Sequence, residues 1–91
     1  MNDDFSVEIV ARCEGLNYTD ADGIFRFDLG WIQSTVELHA YHCSDEAFQP
    51  RALSDEQRQR IIPRIVAHLQ SRGTRVNVLS ERPPNPSFFG Q

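Results

Sequence analysis

From Phe5 to Arg12 the apolar residues Phe5, Val7, Ile9 and Ala11 fall on alternate positions, the period-two signature of a strand with one buried face. Glu14-Gly15 then offers a turn. Leu16 to Thr19 and Ile24 to Leu29 flank the acidic stretch Asp20-Ala21-Asp22-Gly23, and Phe25, Phe27 and Leu29 alternate with Arg26 and Asp28. This predicts a hairpin, because Asp and Gly accept the backbone angles of tight turns. Beyond Gly30, Thr35 to Cys43 reads as another strand. Strict alternation puts Val36, Leu38, Ala40 and His42 on one face, with His42 partly buried, and Thr35, Glu37, His39, Tyr41 and Cys43 on the other. Trp31 and Phe48 read most simply as core or core-edge residues.

The period then changes from two to 3.6. Residues 44 to 53 form a loop containing Pro50, and Ser54 opens a helix predicted over 54 to 72. Ser54 with Gln57 three positions on forms a capping box, and Asp55 and Glu56 suit the positive end of the helix dipole. Ile61, Ile62, Ile65, Val66 and Leu69 fall within roughly 140° of arc, one apolar face. Pro63 lies off that arc towards solvent, with a bend expected near 59 to 63. Gly73 supplies the left-handed stop. Thr74 to Ser80 is a last strand with Val76 and Val78 inward, and Arg82 to Gln91 is a proline-rich tail expected to be flexible. The expected fold is thus α+β, in the order β-β-β-β-α-β. A four- to five-stranded, mainly antiparallel sheet carries one helix on one face, and residues 1 to 81 make one domain.

Charge sharpens this picture more than composition does. Residues 1 to 50 hold ten acids against Arg12 and Arg26, a balance of −8, and residues 51 to 91 hold seven arginines against three acids, a balance of +4, together the −4 of the whole chain. Such a split either holds two layers together or presents an acidic face to a basic partner. Asp3 and Asp4 stand where a secretory leader carries basic residues, and no apolar run approaches the roughly 18 residues of a membrane span, so a cytoplasmic protein without membrane contact is expected. Cys13 and Cys43 are too few for a disulfide framework and are expected to be reduced.

Candidate chemistry is thin. Asp20, Asp22 and Gly23 invite a calcium-loop reading. If Gly23 takes the loop's glycine position, however, Tyr18 and Leu29 fall where carboxylates are required, which favours the turn. Cys13, His39, His42 and Cys43 are zinc-type ligands, the basis of an alternative metal-binding or enzymatic module, yet strand alternation separates His42 from His39 and Cys43. Structural cysteines are the simpler reading, and neither cofactor nor metal is expected. Arg60, Arg64, His68 and Arg72 recur every four residues, a spacing that suits phosphates. The net acidity and the lack of a glycine-rich loop argue against nucleic acid, leaving a flank that faces carboxylates of the sheet. Glu37, His39 and Tyr41 share the sheet's outer face with Glu8, Arg12, Arg26 and Asp28. With Asp45, Glu46 and Phe48 of the following loop, these three are the expected partner-binding residues.

Several of these segments together resemble the small immunity proteins of bacterial polymorphic toxin systems. They are the Tyr18-Thr19-Asp20-x-x-Gly23 turn entering a strand, the Phe48-Gln49-Pro50 element, the Ser54-Asp55-Glu56 helix start, and the helix ended by Gly73 that runs into a valine-rich strand. Phe48 stands where tryptophan followed closely by proline would be expected. The resemblance implies a cytoplasmic, non-enzymatic protein that binds and blocks a basic toxin domain. A monomer, or a homodimer joined through an exposed sheet edge, is expected.

Overall fold

The computed structural model describes residues 4–10, 12 and 14–81. Five strands and one helix follow one another as β1 (Ser6–Val10), β2 (Gly15–Asp20), β3 (Gly23–Ile32), β4 (Thr35–Ser44), α1 (Asp55–Ser71) and β5 (Arg75–Leu79). This is the predicted order and the predicted α+β class. The strands lie side by side in chain order, antiparallel from β1 to β4, and β5 joins β4 in parallel. A parallel neighbour needs a crossover, which α1 supplies. The proline-rich tail and Cys13 lie outside the described residues.

The predicted β2–β3 turn and the predicted ends of the helix have structural counterparts. At the β2–β3 turn Asp20 pairs with Gly23, whose φ is +116°. Ser54 Oγ accepts from the Gln57 N–H at 3.0 Å, and Gln57 Oε1 accepts from the Ser54 N–H at 3.0 Å, which completes the capping box. Past the other end, Gly73 at φ +82° donates to Gln70 O and Thr74 donates to Leu69 O, a Schellman closure. Pro63 stands within α1 and faces solvent, as its wheel position predicts.

The core fills the space between α1 and one face of the sheet. Ile61, Ile65 and Leu69 are buried against Leu16, Tyr18, Phe25, Phe27, Leu29, Val36 and Leu38, each such apolar side chain contributing about 1.5–3 kcal/mol. Val7, Ile9, Val76 and Val78 pack at its margins. Among the described residues no helix covers the opposite face of the sheet.

Two sequence expectations fail at one irregularity. Asp28 pairs with His39, but the preceding Phe27 pairs with Cys43, so Ala40, Tyr41 and His42 of β4 have no partner in β3. Three inserted residues are an odd number, and an odd insertion exchanges the faces of everything beyond it. Cys43, expected on the outer face, is therefore in the core at 3% exposure. His42, expected to be partly buried, is exposed. The core assignment of Trp31 and Phe48 fails as well. Trp31, next to last in β3, is 42% exposed, and Phe48 is 72% exposed.

Candidate functional site

The acidic turn has an occupation of its own. Asp20 has its side chain only 7% exposed. Its carboxylate accepts from Tyr18 Oη at 2.7 Å, from the Asp22 N–H at 2.7 Å, and from Arg60 Nε and Nη2 at 3.3 Å. Asp22 Oδ2 accepts from Arg60 Nη2 at 2.7 Å and from Gln57 Nε2 at 3.1 Å. These two bonds hold the Asp22 carboxyl below its ordinary range. Arg60 also meets Glu56 at 2.6 Å, and its guanidinium is held more firmly protonated by these carboxylates. The carboxylates of the Asp-rich stretch thus pin the first half of α1 to the β2–β3 turn.

Three other arginines of the second half behave alike. Arg51 donates to Ile24 O and Asp22 O and lies 3.9 Å from the Phe25 ring centre. Arg58 Nη1 caps Ala40 O, a carbonyl within the bulge, at 2.8 Å. Arg64 donates to Tyr18 Oη at 2.9 Å and lies over the Phe5 ring. The charge split of the sequence joins the two layers, and the arginine row of α1 is largely turned towards its own sheet.

The outer face of the sheet carries charges of both signs, Glu8, Asp28 and Glu37 with Arg26 and Arg75. Arg60 makes all three ion pairs that fasten the acidic turn and the first turn of α1. Cross-strand rows place Asn17 beside Arg26, Asp28 beside His39, and Gly30 beside Glu37. Arg26 donates to Asn17 Oδ1 at 2.8 Å, while its buried Nε has no hydrogen-bond partner. Phe48 lies over that guanidinium, 4.6 Å from the ring centre. The loop that carries Phe48 is folded by Asp45, whose Oδ1 accepts from the N–H groups of Gln49 at 3.0 Å and Ala47 at 2.8 Å. Those donors hold the Asp45 carboxyl below its ordinary range. Phe48 itself sits at φ +64°, a left-handed conformation uncommon for a bulky side chain. Beside it a cleft of about 230 Å³ is lined by Glu14, Asn17, Arg26, Asp28 and Ser44.

Of the six expected partner-binding residues, Glu37, His39 and Tyr41 stand together on β4, with the His39 and Tyr41 rings stacked at 5.6 Å. Phe48 joins the same face through Arg26. Glu46 is exposed on the loop, whereas Asp45 uses its carboxylate within that loop. Asn17, Asp28 and Gly30 belong to the face and were not expected as contacts. Period-two alternation already placed Asp28 on this face and could have found Gly30, but nothing local marks Asn17 as the partner of Arg26.

Among the described residues, which leave out Cys13, the members of the alternative metal or nucleophile site do not come together. Cys43 Sγ, buried, donates to Arg51 O at 3.0 Å, and burial pushes its thiol up. His39 lies on the opposite face of the sheet. Among the described residues no three His, Cys, Asp or Glu side chains are placed to hold a metal ion. A second cleft, of about 490 Å³, opens beside the bulge between Ala40–Cys43 and Pro50–Leu53. Its polar backbone atoms at Ala40 and Cys43 are already bonded to Arg58 and Arg51. No helix among the described residues is long and apolar enough to cross a membrane.

Compared with models of protein families, with curated proteins and with solved structures, the chain gives no significant match.

Proposed function

We propose that the chain is a non-enzymatic protein-binding module of the toxin-neutralising immunity type, cytoplasmic, meeting a basic protein partner with the outer face of its sheet. The observation that carries this reading is Phe48. It is 72% exposed, held in the left-handed region, and seated over Arg26 beside a cleft whose lining includes Glu14 and Asp28. Strained backbone at an exposed aromatic costs stability and returns no burial, so its use lies in contact with something else. The carboxylates beside it speed encounter with a basic surface and set its orientation.

The test is affinity capture from the lysate of the source cell at low and high salt, with wild type and Phe48→Gly side by side. One basic protein retained by the wild type at low salt, released at high salt and lost in the variant, is the expected result. Capture indifferent to Phe48 and to salt would remove this face from the function.

A further inference from the structure

The two edges of the sheet are finished differently. From that difference we infer that β5 pairs with β5 of a second copy of the chain, antiparallel about a two-fold axis at Asn77. β5 ends the strand order, and among the described residues its free side has no neighbour. No proline, bulge or inward-pointing charge interrupts Arg75–Leu79, although these are the devices that keep an edge from pairing.

The opening extends from the strand into the apolar layer. Inward rows cross the sheet as Trp31–Val36–Val76 and Leu29–Leu38–Val78. Val36 and Leu38 are fully buried, whereas Val76 and Val78, at the ends of those rows, are only partly so. Above the sheet, α1 sends Arg60 and Arg64 towards β2, where they meet Asp20 and Tyr18. At 100° per residue Ile62 and Val66 fall on the opposite flank of the helix, the flank nearer β5, and both are partly exposed. On the β1 side Val7 and Ile9 hold comparable margins, but there Phe5 stacks on Tyr18 at 5.7 Å and Arg64 lies 4.7 Å from the Phe5 ring centre.

A second copy fits the β5 edge in register. With the axis at Asn77, Val76 faces the second copy's Val78, so each inward row continues into an inward row of the other sheet. On the outer face asparagine meets asparagine, each amide offering a donor and an acceptor. Arg75 meets leucine, so no like charges stand opposite each other. The same operation on β1 sets Glu8 against Glu8, which is unfavourable. Pairing of β1 with β5 would not close, and would run on as an open chain. The β5 pair closes after two copies, joining two five-stranded sheets with their helices side by side. Phe48 lies over Arg26 of β3 and is left free, so this interface stands apart from the partner-binding reading.

The test is sedimentation of the full chain from micromolar to millimolar concentration, with Asn77→Lys and Asn77→Asp alongside. Asn77 is exposed and lies beside Glu37 of β4. Lysine there suits the chain's own sheet, yet it sets two ammonium groups against each other across the axis. The mass should rise to twice that of the chain and no further. Each variant should weaken the pair about fivefold or more, the order of one like-charged cross-strand contact. Mixing the two variants should restore it, because lysine then faces aspartate. An unchanged thermal midpoint of Asn77→Lys at micromolar concentration would separate a lost contact from a lost fold. A single monomer mass throughout would overturn the pairing, and slow hydrogen exchange of the β5 amides in that monomer would assign the edge to the residues beyond Glu81. Mass that keeps growing would assign it to β1 instead. A dimer indifferent to Asn77→Lys, or no recovery on mixing, would place the interface elsewhere.

Discussion

Phe48 and Arg26 oppose each other energetically at a single point. A non-glycine residue in the left-handed region costs about 1–2 kcal/mol, and a cation over an exposed ring returns about 0.5–1 kcal/mol. Phe48→Gly removes both terms at once. Its stability in urea should therefore stay within about 1 kcal/mol of wild type, by the difference of those terms, while partner capture is lost. A fall of more than about 2 kcal/mol would place Phe48 among residues the fold needs. The exposed position of Phe48 was not legible in the sequence. An aromatic before Gln49-Pro50 reads as a core edge, and only the loop folded by Asp45 turns it outward.

At the scale of elements, α1 and β4 show what local pattern can and cannot settle. The cap, the apolar arc and the glycine stop of α1 are interactions within five residues of each other, so the sequence carries them in full. Ile65 sits at the centre of the arc and is fully buried. Ile65→Ala should cost about 2–5 kcal/mol in a denaturation midpoint analysis, and a loss under about 1 kcal/mol would contradict the packing. The face of Cys43 depends instead on register against β3, which is set by pairing across the sheet. Cys43→Asp should prevent folding or lower the thermal midpoint sharply, because it places an unpaired charge in the core. His42→Asp should fall within about 0.5 kcal/mol of wild type, the ordinary range for a surface change. The reverse ranking would restore strict alternation along β4 and remove the bulge.

Across the whole molecule the division of charge acts as a fastening between layers, and carboxyls held by hydrogen bonds together with acids held neutral by burial set two pH limits. The lowered carboxyls of Asp22 and Asp45 support the fold above their ordinary value of 3.8, and this support disappears as pH falls through their lowered folded values. Tyr18 is pushed up, first by burial and then by its bond to Asp20, and the Cys43 thiol is pushed up by burial. For both, the neutral form is the one the fold holds. Their contribution is complete below the ordinary 10.0 of tyrosine and 9.0 of cysteine, and is lost as pH rises beyond those values. Thermal midpoints should hold level in between and decline at both ends, and in Cys43→Ala the alkaline decline should begin later. A midpoint that stays flat well above pH 9.0 would contradict the buried thiol.

The sequence by itself determined the order of elements, the turn at Asp20–Gly23, the ends of α1 and its apolar face. These rest on contacts between residues close in the chain, where spacing alone decides which groups meet. It also placed Glu37, His39 and Tyr41 on one face, because alternation holds as far as His39 and the ring stack carries Tyr41 with it. Tertiary structure alone decided the exchange of faces at Cys43 and which oxygen atoms of the sheet Arg51, Arg58, Arg60 and Arg64 reach. Those outcomes depend on register and on which of several carboxylates and carbonyls an arginine reaches first. They are properties of groups brought together across the sheet and between its layers, and no periodicity along the chain encodes them.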